Sequence, residues 1–269
     1  MYYILISVLA LICEYIDSAM GGGYGTILVP ILLAFNIDRR FLIPAVLFTE
    51  IWTGLGSALL HHFVGNADFH VKILNGKEAE QNGKIILSQD FKIAIILAVC
   101  GVIGGVIAAY ASIKINDVIM KTYIGSLVLL MGFLVLIRLK WKFKWWKIYG
   151  IGLIAAFNKG LSGGGYGPLI SSGQIIADRN PRQAVASTSL SEAVVCAVSL
   201  IITATIPENQ SIIFTLPFLH FIIALLIGAL LSVPLAVLTV KYIPIKKMQP
   251  IIGIVTVLLG IFTIIKTYM

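Results

Sequence analysis

Gly21-Gly22-Gly23-Tyr24-Gly25 decides the fold, because the same five residues return as Gly163-Gly164-Gly165-Tyr166-Gly167. Each copy lies inside a long apolar stretch where a helix would otherwise continue. Three successive glycines cost a helix about 1 kcal/mol each relative to alanine, so both helices are expected to stop there. Broken backbone within a bilayer is tolerated only where it is buried in protein or lines a wet cavity. Two breaks in corresponding places predict a binding site where two repeats meet.

The composition agrees with a membrane setting. The 269-residue chain is 59% hydrophobic and 12% charged, whereas a soluble domain is about 25% charged. Its apolar runs, such as Ile93 to Ala111 and Ile251 to Ile265, are continuous and lack the period of two of a transmembrane barrel. The expected class is an all-α polytopic membrane protein. The net charge of +8 falls in the loops, as the positive-inside rule requires, and does not call for nucleic acid. Cys13, Cys100 and Cys196 have no metal-ligand spacing and read as buried thiols used as small hydrophobes. Met1-Tyr2-Tyr3-Ile4 lacks a basic region, so no cleavable signal peptide is expected.

Eight apolar segments can be marked, at about 3–36, 41–61, 92–112, 117–138, 148–177, 183–206, 212–240 and 246–267. The first and fifth are too long for one crossing: a continuous helix would be about 45–50 Å, against a hydrocarbon core of about 30 Å. The glycines favour re-entrant hairpins that enter and leave on one side. Fourteen of the Lys and Arg residues then share one face, including the run Arg138, Lys140, Lys142, Lys144 and Lys147. Five lie opposite: Arg39, Arg40, Lys114, Lys121 and Lys266. This split orients the chain with both termini outside.

The halves match beyond the glycines. At an offset of 142, Arg40 aligns with Arg182, Thr49 with Ser191, Glu50 with Glu192 and Ser57 with Ser199; at 128, Gly125 aligns with Gly253 and Gly132 with Gly260. The chain divides into a first membrane repeat, 1–138, a basic aromatic linker, 139–147, and a second repeat, 148–269. A hairpin plus three crossings gives each repeat an odd number of crossings, hence an inverted repeat. The polar insertion 66–91 carries Asn75-Gly76 and Asn82-Gly83, which could turn a small hairpin on the cytoplasmic face, though a solvated loop is the default reading. The linker's alternating basic and aromatic residues could stack on single-stranded nucleic acid, but between two spans they read as an aromatic belt at lipid headgroups.

These features resemble the sulfite exporter TauE/SafE family, also called TSUP. The resemblance rests on Ser18-Ala19-Met20-Gly21-Gly22-Gly23-Tyr24-Gly25 through Pro30 and on Gly160-Leu161-Ser162-Gly163-Gly164-Gly165-Tyr166-Gly167-Pro168, and it covers nearly the whole chain. It implies a transporter of the plasma (cell inner) membrane that exports sulfur-containing anions such as sulfite or organosulfonates, without a cofactor. Ser172 stands where the first copy has Pro30, so the two sites need not be equivalent.

The residues themselves also suit an anion. A second half-helix is expected to start after each break, near Thr26 and at Pro168, presenting amides and a positive dipole end to the midplane. Gly21, Gly22, Gly23 and Gly25 with Gly163, Gly164, Gly165 and Gly167 would let a ligand approach the backbone. Tyr24, Thr26, Ser162 and Tyr166 could add hydroxyls. Tight helix packing is the plainer reading of the glycines. Glu50 and Glu192, about ten residues into segments 2 and 6, read as proton-coupling groups, acceptors for the hairpin-tip amides, or a hydrogen-bonded brace. Lys159 and Asp17 occupy matching places before the two breaks. They could pair with each other, or Lys159 could hold the anion while Asp17 gates, with Asn158 a weaker candidate. His61, His62, His70 and His220 form no metal-ligand pattern and read as interfacial or loop histidines, and no metal site is expected. Arg40 and Arg182 sit at span ends and read as snorkelling.

Two other classes compete. Gly160-Leu161-Ser162-Gly163 has the form found in rhomboid intramembrane proteases, with His220 as a base, but Ser162 reads near the midplane and His220 near a span end. A non-enzymatic function is therefore expected. An anion channel of the same architecture would differ only in lacking coupling.

Overall fold

The computed structural model describes residues 2–35, 37–74, 84–112, 117–140, 142–162, 164–205 and 215–268. Gly163, both Asn-Gly turns of the insertion and Trp141 lie outside the described residues, as do the side chains of Arg39, Arg40 and Ser162.

The described elements are α1 (Tyr2–Met20), α2 (Tyr24–Ala34), α3 (Arg39–Phe63), β1 (Val71–Leu74), β2 (Lys84–Leu87), α4 (Gln89–Ser112), α5 (Asp117–Leu136), α6 (Trp145–Ser162), α7 (Tyr166–Ile176), α8 (Pro181–Thr205), α9 (Leu216–Tyr242) and α10 (Ile245–Tyr268). The protein is an all-α polytopic membrane protein. Among the described residues, six helices are long and apolar enough to cross a membrane: α1, α3, α4, α8, α9 and α10. Val99, Ile103 and Ile107 on α4, Leu231 and Leu235 on α9, and Leu258 and Ile265 on α10 are exposed, forming faces that only lipid would cover favourably.

The first and fifth apolar stretches each hold two helices of unequal length. At 1.5 Å per residue α1 is about 28 Å long and α2 about 16 Å, and α6 and α7 have nearly the same proportions. Gly21, Gly22 and Gly23 have φ of 79°, 151° and 153°, and Gly165 has 78°, conformations that residues with a Cβ rarely adopt. The second helices begin at Tyr24 and Tyr166, two residues before the starts the sequence suggested. Pro168 is therefore third in α7, not first. It fits there equally well, since the first four amides of a helix have no partner within it.

Helices pair along their lengths as α5 with α10, α3 with α8, α4 with α6, and α1 with α9. Close approach at small residues fixes their directions. A Cβ on Gly132 would lie 2.6 Å from Val257 N and one on Gly125 2.7 Å from an Ile264 side-chain carbon, so α5 and α10 are antiparallel. Gly54 meets Ser189 and Ala193, while Ser57 reaches Ser189 and Cys196 reaches Glu50, so α3 and α8 are antiparallel too. By contrast α4 and α6 run parallel, with Gly152 on Cys100, Gly104 on Ala156 and Gly160 on Ala108. So do α1 and α9, with Ser7 Oγ donating to Ala224 O and Tyr15 meeting Thr239. β1 and β2 form an antiparallel pair, Val71 opposite Leu87.

Candidate functional site

The two glycine breaks touch. A Cβ on Gly22 would lie 2.2 Å from Pro168 N, one on Gly167 2.5 Å from Gly22 Cα, and one on Gly21 2.6 Å from Ser171 Cβ. Only residues without side chains allow backbone to meet backbone at this distance. Gly164 packs on the Thr26 backbone, and the Gly165 amide donates to Thr26 Oγ1 at 3.0 Å. The amide that opens α7 is thus capped by a hydroxyl from the other half of the chain. The amide that opens α2 is capped within its own half, Tyr24 N donating to Asp17 Oδ1 at 2.9 Å. Asp17 therefore has the amide-acceptor role that sequence had offered to Glu50 and Glu192.

Those two glutamates hold Lys159. Its Nζ donates to Glu50 Oε2 at 2.6 Å and to Glu192 Oε1 at 2.9 Å, and all three side chains are buried. The triad joins α3, α6 and α8, and it borders the breaks, because a Cβ on Gly167 would lie 3.2 Å from Glu192 Oε2. Asn158 is buried beside it. Tyr166 OH donates to Ser191 Oγ at 3.1 Å. Tyr24 and Tyr166 are both fully buried, and the cluster around Tyr24, Leu28 and Leu42 joins α1, α2, α3 and α9.

Sequence reasoning missed three members of this centre. Glu14, buried on α1, accepts from Ser18 Oγ at 2.7 Å. Its signal was an acidic residue within an apolar run, but repeat matching hides it, because the position 142 residues later is Ala156. Cys196 does more than fill space: its Sγ donates to Glu50 Oε2 at 3.1 Å. His61 is neither interfacial nor in a loop but fully buried on α3. One ring nitrogen lies 3.3 Å from Ser18 O and the other 2.9 Å from Asn66 Nδ2. With both nitrogens so occupied, His61 is a neutral brace on the last turn of α1.

Arg182 donates to Ile243 O at 2.9 Å, at the end of α9. His62, Asp68 and His70 come together, one nitrogen or oxygen from each within 4.8 Å of the others. His220 bonds the Leu216 carbonyl at 2.9 Å on its own helix and lies against Tyr3. Near the ends of the bundle, Arg179 pairs with Asp90 and also donates to Gln174 and Ser187, all buried. Burial draws the Arg179 guanidinium below its ordinary value, while the Asp90 carboxylate acts in the opposite sense. Two grooves, of 810 and 420 Å³, open elsewhere, beside Tyr15 and Tyr242 and beside Lys92 and Trp145, and touch neither glycine break.

This arrangement of broken helices around a buried charged centre can be set beside known proteins. The family model for the sulfite exporter TauE/SafE matches residues 83–263. The chain belongs to the TauE/SafE family. It is also 25% identical over 279 residues to the probable membrane transporter protein YtnM of Bacillus subtilis (strain 168), a match covering 98% of this chain and 83% of that protein. A TauE/SafE chain with six such apolar helices is a multi-pass membrane transporter, for which the plasma membrane is the usual location.

Proposed function

We propose that this TauE/SafE member is a secondary transporter that exports a small sulfur-containing anion, sulfite or an organosulfonate, coupled to protons. Its site is formed by the two glycine breaks of an inverted repeat. Exchange of the halves supports the repeat: α4 with α6 becomes α9 with α1, and both pairs are parallel, while α3 with α8 and α5 with α10 map onto themselves and are antiparallel. A twofold axis in the membrane plane requires this pattern. In this reading α2 and α7 are the short returning limbs of re-entrant hairpins.

The observation that carries the site is the contact of Gly21-Gly22 with Gly167-Pro168 beside Lys159. The two breaks differ in sign. The first is capped by the carboxylate of Asp17. The second has a neutral hydroxyl cap, Thr26, and the ammonium of Lys159 in the place matching Asp17. The anion therefore sits at the second break, on the Thr26 hydroxyl and the positive end of α7. Glu14, Asp17, Glu50 and Glu192 give four carboxylates against one buried lysine. Uncompensated charge in such surroundings is costly enough that groups neutralise instead. The surplus carboxylates are the seats of the coupling protons, and an anion enters when enough of them are neutral.

Binding to the purified protein in detergent tests this reading. Sulfite or sulfoacetate is expected to raise the melting temperature more than sulfate or chloride at equal ionic strength. Thr26→Val is expected to weaken the favoured anion about tenfold, the effect of one hydrogen bond to a charged group. Equal effects of all four anions, or full affinity in Thr26→Val, would remove the proposed site.

A further inference from the structure

We propose that His62, Asp68 and His70 form a binding site for a zinc-class divalent cation on the face of the bundle where α3 ends. The chain is turned back to build it. α3 stops at Phe63, Gly65 takes φ 78°, and the Asn66 and Ala67 amides both donate to His61 O. This turn brings Asp68 and His70 beside His62, in the last turn of α3. One ligating atom from each of the three residues lies within 4.8 Å of the other two. Ligands about 2.1 Å from a tetrahedral ion stand about 3.4 Å apart, so side-chain rotation closes the remainder.

The donor set and its support both suit such an ion. Two imidazoles and a carboxylate favour zinc, nickel or copper over magnesium or calcium. His70 Nδ1 lies 2.5 Å from Asp68 Oδ1, and the His70 amide also donates to that oxygen at 2.9 Å. A bound ion would take the place of the proton between His70 Nδ1 and Asp68 Oδ1, since metal binding displaces protons from its ligands. His62 Nδ1 accepts one long bond, 3.2 Å from Phe69 N, which a metal would displace. Phe69 and Phe91 pack behind the cluster. The Asp68 amide donates to Asp90 Oδ2 at 2.8 Å, and Asp90 is the partner of Arg179. A bound ion would thus tie the end of α3 to α4 and to the turn between α7 and α8.

Titration of the full-length protein, purified with an affinity tag free of histidine, tests the site with Zn²⁺ alone. One saturable Zn²⁺ per chain is expected, with Mg²⁺ not competing. His70→Ala and His62→Ala should each weaken binding at least tenfold, whereas His220→Ala should leave it unchanged. His70 and Asp68 are more than half exposed, so His70→Ala and Asp68→Asn should melt like the parent protein without metal and lose only the Zn²⁺-induced rise. Absence of saturable Zn²⁺ binding, or binding that survives the double His62→Ala, His70→Ala change, would overturn the proposal. Sulfur-anion binding is read separately, so neither result depends on the other.

Discussion

At the scale of single residues, Lys159 carries the greatest electrostatic burden. Removing one partner of a buried ion pair leaves an uncompensated charge and costs about 3–5 kcal/mol. Lys159→Met is therefore expected to destabilise the protein by about that amount in detergent unfolding. Adding Glu50→Gln and Glu192→Gln should restore most of the loss, because the charges that needed compensation are gone. A triple variant no more stable than the single one would deny that the triad is an electrostatic unit. The glycines make a second contrast. Gly22→Ala places a methyl 2.2 Å from Pro168 N at a φ of 151° and should abolish folding or transport. Gly56→Ala meets nothing within 4 Å and should be neutral or stabilising by about 0.5–1 kcal/mol, as alanine is in a helix interior. Equal expression and transport from the two variants would contradict the close backbone contact.

Legibility in the sequence also differed by residue. The acidic positions Glu50 and Glu192 could be found because a charge within an apolar run is rarely incidental. Their joint hold on Lys159 could not, because sequence places the three residues on different helices without a distance. His61 escaped because its burial belongs to the packed helices, not to the residue type, and Cys196 was legible as a buried thiol but not as a partner of Glu50. The closeness of His62 to His70 was not legible because the chain between them turns at Gly65, where sequence separation does not report distance.

At the scale of elements, the glycine runs located the ends of α1 and α6 well, but the proline misled at α7. Proline is tolerated anywhere in a first turn, so it marks a helix start only to within about a turn. The lengths of the limbs were not legible either, since composition is equally apolar on both sides of each break. The connections between elements give a further test. Asp90 on α4 and Arg179 between α7 and α8 are both almost fully buried. Asp90→Asn leaves the guanidinium without its counter-ion and is expected to cost about 3–5 kcal/mol. Amide hydrogen exchange should rise locally, in 174–190, where Gln174, Arg179 and Ser187 share the network. Unchanged protection there would show that the ion pair does not hold the α7–α8 turn.

At the scale of the whole molecule, the membrane class was legible from composition alone, because 12% charged residues cannot clothe a soluble surface of this size. The pairing of helices was not: that α4 lies parallel to α6 and α1 parallel to α9 depends on where small residues allow close approach. The proposed inverted repeat predicts an orientation that accessibility can check. Cysteines placed at position 2 and position 268 should react with an impermeant thiol reagent from outside intact cells, and a cysteine at position 142 only from inside. The three native thiols are buried, so background labelling should be low. Labelling of position 142 from outside would reverse the orientation.

The central claim is proton-coupled movement of a sulfur anion through the charged centre at the glycine breaks. Flux of sulfite in proteoliposomes, with and without an imposed proton gradient, tests it most directly when wild type and Glu192→Gln are compared. The account predicts gradient-dependent sulfite movement in the wild type. It predicts at least a tenfold loss of that gradient-driven component in Glu192→Gln, with the variant still folded and still stabilised by sulfite. Sulfite flux indifferent to the gradient, or an unaltered gradient response in Glu192→Gln, would contradict it.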